Sequence, residues 1–278
     1  SFQLIHENKT SAAFKDTTIC SIELVMVSSG PYKKGLNFDT ETIPYNYWIG
    51  KYEITNQQFV DFLRTALIKG FIQLKNGILY YPYPGDSLVN AALFKVRQFD
   101  DKIYLRHDSI ILDSKFSGHP ATGVSWFGAK AFCNFYGFRL PQETEWEKAA
   151  RGNSSFWFPW GNAIDGSLAN YFNSNDPFEP GTTPVGYYNG STYDKFQTSN
   201  AVSAYGCYDM AGNAWEWLED RWTKTTPYNK GKGGGFAYHT PAFLQVYYVS
   251  SFGPPIAPDL DMCHISDGFR VVKRCDNG

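Results

Sequence analysis

The chain has 278 residues and a formal net charge of −2, so it lacks the basic surplus of an electrostatic nucleic-acid binder. Aromatics at 18 %, with 25 glycines and 15 prolines, argue for a loop-rich fold over a helical bundle, and no run of about 18 apolar residues could span a bilayer. Cys20, Cys133, Cys207, Cys263 and Cys275 are scattered without Cys-x-x-Cys spacing, which argues against a zinc site and leaves any disulfide pairing open.

Ser1-Phe2-Gln3 carries no signal-peptide pattern; a leader could have been removed upstream. The first strand signal is Ile22-Glu23-Leu24-Val25-Met26-Val27, ending in a turn at Ser28-Ser29-Gly30-Pro31. Tyr47 to Thr55 alternates as a second strand. Thr55 then caps a helix, with Gln58 as its capping-box partner and Phe59, Phe62 and Leu63 as its apolar stripe. Residues 64–117 read as an insertion of short strands on the edge of the fold, with a hairpin turning at Asn76-Gly77. A helix is expected over 127–136, with Gly137 as its C-cap. A second follows Arg139-Leu140, with Pro141 near its first position, and stops at Arg151-Gly152.

Asp209-Met210-Ala211-Gly212-Asn213-Ala214-Trp215-Glu216-Trp217 is the densest stretch. As a strand it puts both indoles on one face and Glu216 on the other. Asp209 and Glu216 could give carboxylates to a hard cation such as calcium, with the carbonyls of Gly212 and Ala214 beside them. The competing reading is a tight turn with core tryptophans and solvated acids.

This stretch, together with Val124-Ser125-Trp126, Arg139-Leu140-Pro141-Gln142-Glu143-Thr144-Glu145-Trp146-Glu147 and Phe158-Pro159-Trp160-Gly161-Asn162, resembles the formylglycine-generating-enzyme (sulfatase-modifying factor) family. The resemblance implies one α+β domain over 1–278, of the family's C-type lectin-like fold: short strands, two or three helices and much irregular structure. Glu145 and Trp146 then have structural roles. The family's calcium loops carry over to Asp209, Gly212, Ala214 and Glu216. The other loop carries over to Asn170, the carbonyl of Tyr171, Asp176 and the carbonyl of Phe178, with a shorter loop between.

One departure matters most. Active members hold copper on two cysteines just after an Arg-Gly-Gly-Ser strand; here Tyr238 and Phe243 stand at those positions in Lys232-Gly233-Gly234-Gly235-Phe236-Ala237-Tyr238. Neither side chain offers the thiolate that selects Cu(I), so no copper and no formylglycine chemistry is expected. His119, His239 and His264 lack helical metal spacing for an iron site.

Residues 236–268 contain no Lys, Arg, Glu, Trp or Asn, in a chain that is 19 % charged. All but Gln245 and Met262 can be written with codons ending in C. Adenine-directed mutagenesis produces that alphabet, and the segment resembles the variable regions of diversity-generating-retroelement proteins built on this same fold. The constant flanks would be Gly233-Gly234 and Gly268-Phe269-Arg270. The bland alternative is drift of a dead active site into a Pro-rich loop. Tyr, Phe, Ser and His suit a binding face, as in antibody loops. The expected face comprises Tyr238, His239, Phe243, Tyr247, Tyr248, Phe252, Asp259, Asp261 and His264, with alternating strands over Gly233-Gly234-Gly235-Phe236 and Val246-Tyr247-Tyr248-Val249. The function expected is ligand binding without catalysis. Its ligand would be a protein or a cell-surface molecule, in a cell-surface or extracytoplasmic place, with a lipid anchor outside this sequence. An oxidase of the same fold with non-cysteine chemistry and a non-catalytic paralogue binding a protein partner are the rivals.

Overall fold

A computed structural model describes residues 21–75, 78–82, 90–95, 102–106, 109–221, 229–238, 240–252 and 265–275. It begins with four short strands: β1 (Leu24–Val27), β2 (Gly30–Lys34), β3 (Asp39–Ile43) and β4 (Tyr47–Gly50). Alternation is clean in β4, where Tyr47 and Ile49 are buried and Trp48 faces outward. Helix α1 (Asn56–Ile68) starts as the sequence predicts. The Thr55 hydroxyl accepts from the Gln58 N–H, and the Gln58 side chain accepts from the Thr55 N–H. Its stripe buries Phe59, Phe62 and Leu63.

Of residues 64–117, 64–68 continue α1 instead, and the described remainder is mostly short strands. They are β5 (Gln73–Lys75), β6 (Ile78–Pro82), β7 (Asn90–Lys95), β8 (Ile103–Arg106) and β9 (Ser109–Leu112). β5 and β6 pair antiparallel with Lys75 opposite Ile78; the predicted turn residues Asn76-Gly77 lie outside the described residues. Helix α2 (Trp126–Tyr136) is capped by Ser125 and ends on Gly137, whose φ of 76° is the left-handed conformation that a C-cap glycine supplies. Helix α3 (Glu143–Arg151) corrects the expectation for Pro141, which lies one residue before the N-cap, Gln142. The first turn is fixed by its own capping box, in which the Gln142 N–H donates to Glu145 (2.9 Å), and from outside by Asp220, which accepts from the Glu143 N–H (2.6 Å).

Beyond α3 the chain is mostly irregular. Its strands are β10 (Thr192–Tyr193), β11 (Phe196–Gln197), β12 (Trp215–Arg221), β13 (Asn229–Lys232), β14 (Ser250–Phe252), β15 (Asp267–Gly268) and β16 (Val272–Arg274). One sheet runs β14-β13-β12-β15, with β12 and β15 parallel; a second runs β1-β4-β16. β12 is the wall between two cores. Trp215 and Trp217 join Phe59, Phe62, Phe132 and Phe269 on one side. Leu218 joins Trp146, Tyr47, Val246 and Val272 on the other. The alternation of indoles and Glu216 is therefore a real two-faced strand, because each face meets its own apolar layer.

The two strands expected over 233–236 and 246–249 do not form. β13 ends at Lys232, since Gly233 and Gly234 take φ of 96° and 75°. A Cβ on Gly234 would sit 2.8 Å from Leu244, so the close approach of the next turn demands glycine. Pro241–Leu244 forms a 3-10 turn, and the Val246 N–H donates to the Trp157 carbonyl (2.8 Å), a loop partner outside the sheet.

Candidate binding face and cation loops

Behind the segment lies a buried charge network. Glu216, expected as a cation ligand, has both carboxylate oxygens engaged by Arg270: Nε to Oε2 and Nη2 to Oε1, each 2.6 Å. The Trp146 indole donates to the same carboxylate (2.7 Å). Arg270 also donates to the carbonyls of Gly50 and Tyr208, so it ties β12 to β4 and to the Asp209 turn. Asp209 accepts from the Gly186 N–H (2.6 Å) and is raised to about 6, chiefly by burial. Glu53 accepts from the Asn213 amide and the Ala214 N–H, and burial, then the charge of Asp209, lifts its carboxyl well above the usual range. The turn between is held by Gly212: at φ 89°, a Cβ there would lie 2.3 Å from the Asn170 carbonyl.

The other loop has a different character. The Asn170 amide nitrogen donates to the Gly181 carbonyl (2.9 Å), and its Oδ1 is buried with no hydrogen-bond partner. Asp176 is buried, which raises its carboxyl; it accepts from the Ser174 hydroxyl and the Phe178 N–H. The Tyr171 carbonyl accepts from the Ser174 N–H and leaves a lone pair. A buried amide oxygen without a donor costs free energy unless something positive meets it. Among the described residues, no three His, Cys, Asp or Glu side chains converge as a metal cluster. The donor set here is instead one carboxylate, one amide and backbone carbonyls, which suits calcium.

The face itself has two tiers. Phe236, Leu244 and Val246 are buried. Tyr238, Phe243, Tyr247 and Tyr248 are half-buried. The Tyr238 ring meets Trp215 edge-on at 5.3 Å and Phe243 at 5.7 Å; Phe243 meets Tyr248 at 4.9 Å, and Tyr247 meets Trp157 at 5.7 Å. Phe252 is the last residue of β14. His239, Asp259, Asp261 and His264 lie outside the described residues. The structure thus joins three of the expected face residues, Tyr238, Phe243 and Tyr248, in one ring cluster and sets Tyr247 against Trp157. It fills the space around the two cysteine-equivalent positions with aromatic rings seated on Trp215.

Residues 10–275 match the domain described as Sulfatase-modifying factor enzyme 1-like. The chain belongs to this family. It is 31 % identical over 206 residues to the "Serine/threonine-protein kinase pkn1" of Chlamydia caviae, covering 71 % of this chain and 28 % of that one. It is 40 % identical over 122 residues to the "Formylglycine-generating enzyme" of Mus musculus, covering 42 % and 30 %. The chain therefore spans less than a third of the length of these relatives. The family includes enzymes and inactive members: an "Inactive C-alpha-formylglycine-generating enzyme 2" of Bos taurus is 36 % identical over 104 residues, covering 37 % of this chain and 33 % of that one. Among solved structures, PvdO from Pseudomonas aeruginosa aligns at TM-score 0.60 and 17 % identity over 91 % of this chain and 94 % of that one. Treponema denticola variable protein 1 aligns at TM-score 0.56 and 18 % identity over 91 % and 95 %. These likenesses establish the formylglycine-enzyme-type, C-type lectin-like fold. Among the described residues no helix is long and apolar enough to cross a membrane.

Sequence reasoning named Arg270 only as a constant flank and missed Glu53. The signal for Arg270 was a lone arginine in an apolar run, Gly268-Phe269-Arg270-Val271-Val272, which demands a buried counter-ion. Glu53 carried no such signal.

Proposed function

We propose that this chain is a ligand-binding member of the family that displays a diversified aromatic face, and that it does not generate formylglycine. The observation that carries the reading is Tyr238 and Phe243 at the cysteine positions, with their rings packed on each other and the Tyr238 ring on Trp215. No thiolate can form there, and a bulky aromatic lid takes up the volume that a copper site would need. The fold shared with a Treponema variable protein supports the display role. So does the absence of Lys, Arg and Glu from residues 236–268, since a rigid frame holding an aromatic-bearing segment without long charged side chains suits recognition. The ligand is a protein or other cell-surface molecule, met at the cell surface or outside the cytoplasm. Calcium is structural: Asn170 Oδ1, Asp176 and the carbonyls of Tyr171 and Phe178 would hold one ion. A second ion at Asp209, Gly212 and Ala214 would have to share Glu216 with Arg270.

The gene neighbourhood tests the diversification. A reverse transcriptase and a near-identical template repeat of the segment are expected beside the gene, and a neighbourhood without them overturns that part. Chemistry is tested separately. The copper-loaded protein incubated with a Cys-x-Pro-x-Arg peptide should leave its mass unchanged; loss of sulfur by mass spectrometry would refute the reading.

A further inference from the structure

The described part of segment 236–268 does not stand alone on its face. Two loops of the surrounding frame bracket it, and both carry exposed aromatic rings. On one side, Trp157 takes the Val246 N–H on its carbonyl and stacks edge-on against Tyr247, and Phe156 beside it is 41 % exposed. On the other side, the Phe172 N–H donates to the Tyr238 carbonyl (3.3 Å), and Phe172 is 38 % exposed. Few large apolar side chains are so exposed in the described part of the chain, and these two border the same segment; Ile265, at 59 %, lies within it. Phe172 and Trp157, the neighbour of Phe156, are each fastened by a backbone hydrogen bond to the segment, so these loops keep their place whatever side chains the segment carries.

We propose that Phe156, Trp157 and Phe172 are fixed aromatic anchors of the binding site, shared by every variant of the segment, and that the occupant is a folded protein surface. The inference rests on the display reading above. The chemistry favours a protein epitope: interface cores are enriched in Tyr, Trp and Phe and depleted of Lys, Glu and Asp, as residues 236–252 are. A few central aromatics dominate the affinity of such surfaces. Fixed anchors at the rim would supply generic apolar contact, and the segment between them would supply selectivity.

The test uses the chain displayed on yeast, randomised at Tyr238, Phe243, Tyr247 and Tyr248, and selected against an unglycosylated monomeric probe, lysozyme. In the selected binders, Phe156→Ala, Phe172→Ala and Trp157→Ala should each weaken the Kd for lysozyme by about tenfold or more. Trp48→Ala, on the distant β1-β4-β16 sheet, should leave it unchanged. Thermal unfolding of each variant separates lost binding from lost folding. Phe156 and Phe172 keep the test decisive if Trp157→Ala unfolds. Binders that tolerate both exposed substitutions overturn the anchors and leave the display reading standing. Failure to recover any binder from a well-folded library overturns both.

Discussion

Leu244, Tyr238 and Ile265 sit at three depths in one segment, and truncating each should have a different cost. Leu244 is fully buried against Gly234 and the Phe158 cluster, so Leu244→Ala should cost about 2–5 kcal/mol. Tyr238 is half-buried. An enclosed aromatic buries about 150–250 Å², so roughly half of that, at about 25 cal/mol per Å², gives about 2–3 kcal/mol for Tyr238→Ser. Loss of the edge contacts with Trp215 and Phe243 adds about 0.5–1.5 kcal/mol each. The sequence alone allowed a cost near zero at this position, and the ring contacts remove that option. Ile265 is 59 % exposed, and Ile265→Ser should cost under about 0.5 kcal/mol. The assay is urea unfolding followed by tryptophan fluorescence, with slopes compared to confirm that the unfolded state is unchanged. Ile265→Ser as costly as Leu244→Ala would mean that the segment is core throughout, and the display reading would fall. Tyr238→Ser below about 0.5 kcal/mol would refute the packing argument for the ring cluster.

Arg270→Met leaves the Glu216 carboxylate buried without its bidentate partner and should cost about 3–5 kcal/mol, whereas adding Glu216→Gln to it should recover part of the loss; simple additivity in a double-mutant cycle would refute the pairing. Calcium at 100 times its Kd should stabilise the protein by about 2.7 kcal/mol, and Asn170→Ala or Asp176→Asn should remove the shift; an unchanged melting temperature in millimolar calcium contradicts the ion site. His119 is buried between Phe116 and Phe178 and lowered to about 4, chiefly by burial. Between its unfolded value of 6.5 and about 4 the unfolded chain binds the extra proton, so stability should fall by about 3 kcal/mol as pH drops through that window. Asp209, raised to about 6, acts in the opposite sense below that pH, so the measurement is the difference between the parent and His119→Gln; a pH-independent difference would refute it.

Local chemistry in the sequence determined the parts that depend on near neighbours. The Thr55 and Gln58 capping box, the Gly137 C-cap, the β5-β6 pairing and the two-faced Trp215-Glu216-Trp217 strand follow from spacing of a few residues. The family motifs and the missing cysteines at 238 and 243 were legible in the same way. What needed the tertiary structure was every feature set by distant partners. Glu216 looked like a ligand until Arg270, 54 residues away, occupied both of its oxygens. Alternation made residues 246–249 resemble a strand, yet Val246 gives its N–H to Trp157 in another loop. The depth of Leu244 against the exposure of Ile265 has no local signature, because the segment is aperiodic and its burial depends on which frame loop lies beneath each residue. A sequence pattern encodes a face only where the backbone repeats, and in this fold the binding segment runs where it does not.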